Sequence, residues 1–331
     1  MPRSNASTGA LLTAVLLAGS CANRAEVFEK PVVIEVERGQ TSMEIAETLE
    51  SNGVIASKWG FLWQRLWNRS ATLIAGEYRF KEPLSSRKAF RELVAGRVVV
   101  YPLTIPEGLN RFEIAEIVAS EGWSSKEEFL ALTADPGLVA DLLPNAATLE
   151  GVLFPETYNL ARTSTAHDLL GAMLAGFREA LAAARSQGTA EISDWDALVL
   201  ASMVEKETAR REERGLVSSV FHNRLRRGML LQCDPTTIYG LLLDGRFRGK
   251  LYRSDLSDPH AYNTYVHDGL PPGPITNPGA AALKAAFAPQ ESPYLYFCAK
   301  PGRLQGHAFS TKLSDHNRAV QELRRYQRSR H

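Results

Sequence analysis

Two carboxylates, Glu205 and Glu207, close the segment Leu200-Ala201-Ser202-Met203-Val204-Glu205-Lys206-Glu207-Thr208, after a run from Leu198 to Val204 that is apolar or small throughout. An ionised carboxylate in such a helix costs on the order of several kcal/mol unless it is paired. Its pKa therefore rises, as a general acid working near neutral pH requires. Glu205 lies three residues after Ser202 and four after Ala201, so all three share one helix face with small neighbours. Glu205 is the first catalytic candidate. Glu207, two residues on, points elsewhere and is expected to pair with the cluster Arg210, Arg211, Glu212, Glu213 and Arg214. A blander reading takes both glutamates as solvated charges at a helix end.

Three later segments concentrate other polar chemistry. Leu231 to Gly240 packs amide, carboxylate, hydroxyl and phenol groups into one stretch through Gln232, Asp234, Thr236 and Tyr239. Ala261-Tyr262-Asn263-Thr264-Tyr265 repeats the mixture, and Leu270-Pro271-Pro272-Gly273-Pro274-Ile275 follows as a proline-stiffened loop. Upstream, Leu149 to Tyr158 mixes Glu150, Glu156 and Tyr158 with apolar residues. Singly, such residues form turns or structural hydrogen bonds. Beside a carboxyl helix they suit a groove for a neutral, hydroxyl-rich substrate such as a glycan. No spacing resembles a metal site, and no cofactor motif is present.

The elements that must position these groups follow from the pattern. Ser193 is a helix N-cap with Asp194 and Asp196 in the first turn, and the helix is expected to run from Asp194 to about Arg227, before Gly228. Another helix fills Ala166 to Gln187, with shorter ones at Arg111 to Ser120 and Ser125 to Thr133. Val98 to Pro106 reads as an edge or crossing strand bracketed by prolines. Before it, Val32, Ile34 and Val36 alternate with Val33, Glu35 and Glu37, as a strand requires. A turn at Gly39, an amphipathic helix from Ser42, a second helix from Trp59 to Trp67, a strand over 74–80 and a helix from Arg87 to Leu93 complete a small first domain. Its strand-turn-helix start looks like half of a LysM-type module. The fold class is α+β: a LysM-like β/α domain at 31–98, then a larger mixed domain at 99–325 with a buried catalytic helix, and a basic tail at 326–331.

The 331 residues allow two domains, and 44% hydrophobic and 23% charged residues are ordinary for soluble proteins. A formal net charge of +1 gives no reason to expect nucleic acid binding. At the N-terminus, Arg3 precedes an apolar or small run from Gly9 to Ser20, too short to span a bilayer and shaped like an export signal. Ala18-Gly19-Ser20-Cys21 resembles a lipoprotein processing site, making residues 1–21 a signal or short anchor and Cys21 a candidate for lipidation. Cleavage to a soluble protein and an uncleaved anchor are the alternatives; all three place the rest outside the cytoplasm. Cys233 and Cys298 then remain as separate thiols or a disulfide.

Taken together, Val204-Glu205-Lys206-Glu207-Thr208, Gln232-x-Asp234-Pro235-Thr236, and Tyr262-Asn263-Thr264-Tyr265 followed by Gly269 to Ile275 resemble the endolytic murein transglycosylases, the MltG/YceG-like family. The resemblance covers about residues 31 to 325. It implies a bacterial inner-membrane protein with its catalytic domain in the periplasm, cutting nascent peptidoglycan strands beside peptidoglycan synthases. The family's catalytic glutamate is placed on the first Glu of the motif, Glu205. Protonated, it would donate to the glycosidic oxygen between N-acetylmuramic acid and N-acetylglucosamine. As carboxylate it would then take the proton of the 6-hydroxyl that closes a 1,6-anhydro ring. Glu150, Glu156, Tyr158, Gln232, Asp234, Thr236, Tyr239, Asn263 and Tyr265 are the expected substrate-binding residues. A muramidase with Asp234 or Glu156 as second carboxylate, and a non-catalytic peptidoglycan-binding scaffold, are the rival readings. Two departures stand out: the N-terminal run is shorter than the family's transmembrane helix, and Cys233 sits where Thr is common.

Overall fold

The computed structural model describes residues 27–302 and 306–329. The chain divides between Val99 and Val100 into two compact units, each of mixed helix and strand. In the first unit, β1 (Val32–Val36) leads through α1 (Ser42–Ser51) and α2 (Lys58–Trp67) to β2 (Gly76–Phe80) and α3 (Ser86–Ala95). The two strands pair antiparallel, from Val32 opposite Phe80 to Val36 opposite Gly76. Alternation does what the pleat demands: Ile34 and Val36 are buried while Val33 and Glu35 face out. Thr41 and Glu44 form a reciprocal capping box that starts α1. Phe61, Phe90, Leu49, Leu93 and Tyr78 fill the core, and burial pushes the Tyr78 phenol up to about 12.

The second unit opens on β3 (Val100–Thr104), which pairs antiparallel with β4 (Thr157–Ala161). Pro102 is tolerated because this sheet has two strands and both are edges. Between them lie α4 (Arg111–Ser120) and α5 (Lys126–Leu132), each capped by the residue before it, Asn110 and Ser125. After β4 come α6 (Ala166–Ser186), α7 (Asp194–Glu207), α8 (Arg214–Arg226), α9 (Asp234–Leu243) and α10 (Ala280–Phe287). A hairpin of β5 (Tyr296–Ala299) and β6 (His307–Ser310) precedes α11 (Leu313–Arg328). α7 is the axis of this unit. Every residue from Ala197 to Glu205 is buried, and α10, rich in alanine, packs closely along it.

The expected continuous helix from Asp194 to Arg227 is instead two helices. α7 stops at Glu207, Thr208 turns extended (φ −147°, ψ 127°), and a short 3-10 turn at Arg211–Glu213 leads into α8. Thr208 Oγ1 accepts from Arg210 N–H at 3.1 Å, so a side chain replaces the next helical bond. No glycine or proline in 208–213 announces this break. At the C-terminus, the expected basic tail continues α11 as far as Arg328. Among the described residues, no helix is long and apolar enough to cross a membrane. The signal or anchor expected at 1–21, with its lipidation candidate Cys21, lies outside the described residues.

Candidate active site

Glu205 ends the buried run of α7 with both carboxylate oxygens engaged. Oε1 accepts from Arg214 Nη2 at 2.5 Å, and Oε2 accepts from the Gly279 backbone N–H at 3.1 Å. Arg214 Nη2 also donates to Glu107 Oε2 at 2.9 Å, making a triad whose central pair is 5% and 4% exposed. Burial raises the Glu205 carboxyl, while Arg214 and the Gly279 N–H pull it back. Each Glu205 oxygen is thus committed to a structural donor, and the one on Oε1 is the Arg214 guanidinium, which favours the charged carboxylate over a proton-carrying acid. Glu205, the expected acid, is an ion-pair partner in this structure, and the pairing expected of Glu207 with the arginine cluster is made by Glu205 with Arg214.

Glu207 is the last residue of α7 and opens on a cleft of about 440 Å³, lined also by Arg224, Gln232, Asp234, Tyr265, His307 and His316. Among the described residues it accepts one hydrogen bond, from Cys233 Sγ to Oε1 at 3.1 Å. Burial pushes its carboxyl up, the Cys233 bond opposes, Asp234 adds to the rise, and His307 and Arg224 temper it. The negative end of the α7 dipole disfavours charge at the same place. Burial also holds the Cys233 thiol well above its ordinary value, so it stays a neutral donor.

The cleft's floor is set by an unusual backbone. Gln232 has φ +52°, the single non-glycine residue with positive φ among those described. Such a conformation costs about 1 kcal/mol and concentrates at functional sites. It is held by Gln232 N–H to Thr264 O and by Cys233 N–H to Thr264 Oγ1, each at 3.0 Å. Asp234 then occupies the first position of α9, where a carboxylate suits the helix dipole, and accepts from Tyr265 Oη at 2.5 Å. Arg224 anchors the wall by donating to the carbonyls of Leu230, Leu231 and Leu295. His307 binds Glu213 through its backbone N–H and through Nδ1 at 2.7 Å.

Of the residues expected to bind substrate, Gln232, Asp234 and Tyr265 line this cleft with Glu207. Five others are buried supports and cannot touch a ligand from where they sit. Glu150 accepts from Arg111 N–H, Tyr239 Oη and Asn277 Nδ2 at 2.9–3.1 Å, tying three segments together, and burial raises it to about 7. Tyr239 is the donor in that knot. Thr236 and Asn263 are fully buried, Thr236 bonding Cys233 O and Asn263 holding the carbonyls of Leu256 and Asp258 and the N–H of Tyr265. Tyr158 donates to Phe154 O. Glu156 is exposed and not among the cleft residues. Cys233 and Cys298 are free thiols: Cys298 lines the cleft, and Cys233 is buried behind it against Glu207. Arg224, His307 and His316 also line the cleft, and the only sign of them in the sequence is their place inside the motif-bearing segments.

Comparison with known proteins agrees with the sequence motifs. A family model described as the YceG-like family matches residues 34–322. A Bacillus subtilis (strain 168) protein named endolytic murein transglycosylase is 30% identical over 309 residues, covering 88% of this chain and 84% of that one. A Streptococcus pneumoniae (serotype 2) protein of the same name is 29% identical over 330 residues, and the match spans 89% of this chain and 58% of that one. A crystal structure of a yceG-like protein from Listeria monocytogenes superposes with a TM-score of 0.59 at 32% identity, covering 87% of this chain and 98% of that one.

Proposed function

The chain belongs to the YceG-like family, and from that premise we propose that it is a peptidoglycan-cleaving lyase, an endolytic transglycosylase, with Glu207 as its acid and base. The observation that carries this reading is Glu207: a desolvated carboxyl, open to a cleft, bonded by one neutral donor. Protonated, Glu207 gives its proton to the glycosidic oxygen as the β-1,4 bond between N-acetylmuramic acid and N-acetylglucosamine breaks. As carboxylate it takes the proton of the 6-hydroxyl, whose oxygen attacks the anomeric carbon and closes a 1,6-anhydro ring. The nucleophile is thus part of the substrate, and its proximity replaces a held water. Asp234, fixed by Tyr265 and the start of α9, stabilises positive charge at the anomeric carbon. Glu205, Arg214 and Glu107 hold the end of α7 in place.

The relatives' name, endolytic murein transglycosylase, and a cleft open to solvent support cleavage within the strand; action on nascent strands, ending their elongation, is part of the same proposal. The βααβ order of the first unit with its antiparallel strand pair supports a LysM-like, peptidoglycan-binding role. The Gly9–Ser20 run supports attachment to the inner membrane with both units in the periplasm, beside peptidoglycan synthases. A hydrolytic muramidase is the second reading, because Asp234 shares the cleft with Glu207. Mass spectrometry of digested glycan strands separates the two. Anhydro ends are expected; reducing ends alone would replace the transglycosylase by the muramidase.

A further inference from the structure

α2 carries an outer face that no packing explains. Trp59, Trp63 and Trp67 recur every four residues and are 65%, 57% and 71% exposed, with Leu66 beside them at 48%. At about 100° per residue these four fall within an arc of roughly 100°, opposite Phe61, which is buried in the core. Trp63 and Trp67 meet edge to face at 5.8 Å, and Lys58 Nζ, itself paired with Glu47 at 2.8 Å, stands 5.6 Å from the Trp59 ring. Large apolar side chains gathered on one exposed face mark a contact surface.

The surrounding charge points to the occupant. Residues 58–97 hold nine Lys and Arg against three Glu, and α2 itself has no acidic residue. A groove of about 630 Å³ runs between Gln64 and Asn68 of α2 and Arg87, Lys88 and Arg91 of α3. Among the described residues, Arg69, Arg87 and Arg91 form no ion pair, whereas Glu82 and Glu92 are taken by Lys88 and Arg97. Indoles set beside cations on a convex helix suit the headgroup level of an anionic bilayer, each cation adding attraction. A glycan platform would need polar side chains around the rings. Here Arg65 and Asn68 instead bond the backbone of their own turn. The chain between Ser20 and Val27 reaches at most about 25 Å, so an anchored N-terminus keeps this unit at the membrane surface.

We propose that the Trp59–Trp63–Trp67 face of α2 docks on the headgroup layer of an anionic phospholipid bilayer, a proposal that rests on the membrane attachment read from the N-terminal run. The test uses the full chain carrying Trp123→Phe and Trp195→Phe, so that every remaining indole lies on α2. It is reconstituted with vesicles of equal parts phosphatidylglycerol and phosphatidylcholine brominated near the headgroups. The expected result is co-sedimentation, a blue-shifted emission quenched by the brominated lipid, and protection from aqueous iodide. Adding Arg87→Glu and Arg91→Glu should reduce the quenching, and more in anionic than in purely phosphatidylcholine vesicles. Protein that pellets with indoles still open to iodide overturns the docking and leaves the attachment standing. Protein that stays in the supernatant overturns both. Protection by free N-acetylglucosamine oligomers, without lipid quenching, makes the face a glycan platform and overturns the proposal.

Discussion

The same isosteric change, Glu to Gln, should act in opposite ways two residues apart on α7. Glu205→Gln removes one charge from a pair that is almost wholly buried, leaving Arg214 with Glu107 as its remaining anion. Breaking a buried pair costs about 3–5 kcal/mol. Glu107 and the retained amide oxygen offset part of this, so about 2–4 kcal/mol is expected, or roughly 5–12 °C in a unit of this size. Glu207→Gln removes no ion pair. A carboxyl whose folded pKa is raised contributes its full stability below its unfolded value near 4.5, and that contribution is lost as pH rises through the folded value. Gln has no such loss, so Glu207→Gln should unfold no earlier than the native chain at pH 8. Its glycan cleavage should fall by at least 10²–10⁴-fold, the share of a general acid–base group. Thermal unfolding and release of soluble glycan from purified peptidoglycan measure both quantities on each variant. An active Glu207→Gln beside an inactive Glu205→Gln with an unshifted melting temperature would refute the reasoning and return the acid to Glu205.

Three further outcomes follow from the same geometry. Cys233→Ala removes the donor to Glu207 without adding bulk at this buried position; the acid's pKa rises, so the alkaline limb of kcat/KM should move to higher pH, whereas Cys233→Ser, which keeps a donor, should leave it in place. Tyr265→Phe strips Asp234 of its phenol donor at the open cleft, and kcat/KM should drop by about tenfold, near 1.4 kcal/mol, with little change in melting temperature. Glu150, raised from 4.5 to about 7, should take about 3 kcal/mol from stability as pH rises across that window. Tyr239→Phe removes a donor to its charged form and should stretch the loss to higher pH. Denaturant titrations at several pH values measure it, and identical slopes in the two proteins would count against the assignment.

What the chain spells out locally, it spells out well. The alternation in β1, the helix starts at Ser125 and Ser193, and the extent of α6 depend on neighbours within a few residues, and the structure has them. Polar residues in the motif segments carry no such local signal, because loops that enter a core must satisfy their own backbone. Asn263 and Glu150 spend every oxygen on that task, and nothing in residue type separates them from Gln232 or Asp234, which face the cleft. The exchange of roles between Glu205 and Glu207 has one cause. On an unbroken helix, Arg214 lies nine residues from Glu205, about 180° around and about 13.5 Å along the axis, beyond any contact. On that same helix Arg210, Arg211 and Arg214 lie three, four and seven residues from Glu207, on its own face. The Thr208 break reverses both relations: it folds Arg214 back onto Glu205 and leaves Glu207 as a helix end over the cleft. A short extended break at 208–210, with no glycine or proline to betray it, decides which carboxyl is paired with Arg214 and which faces the cleft.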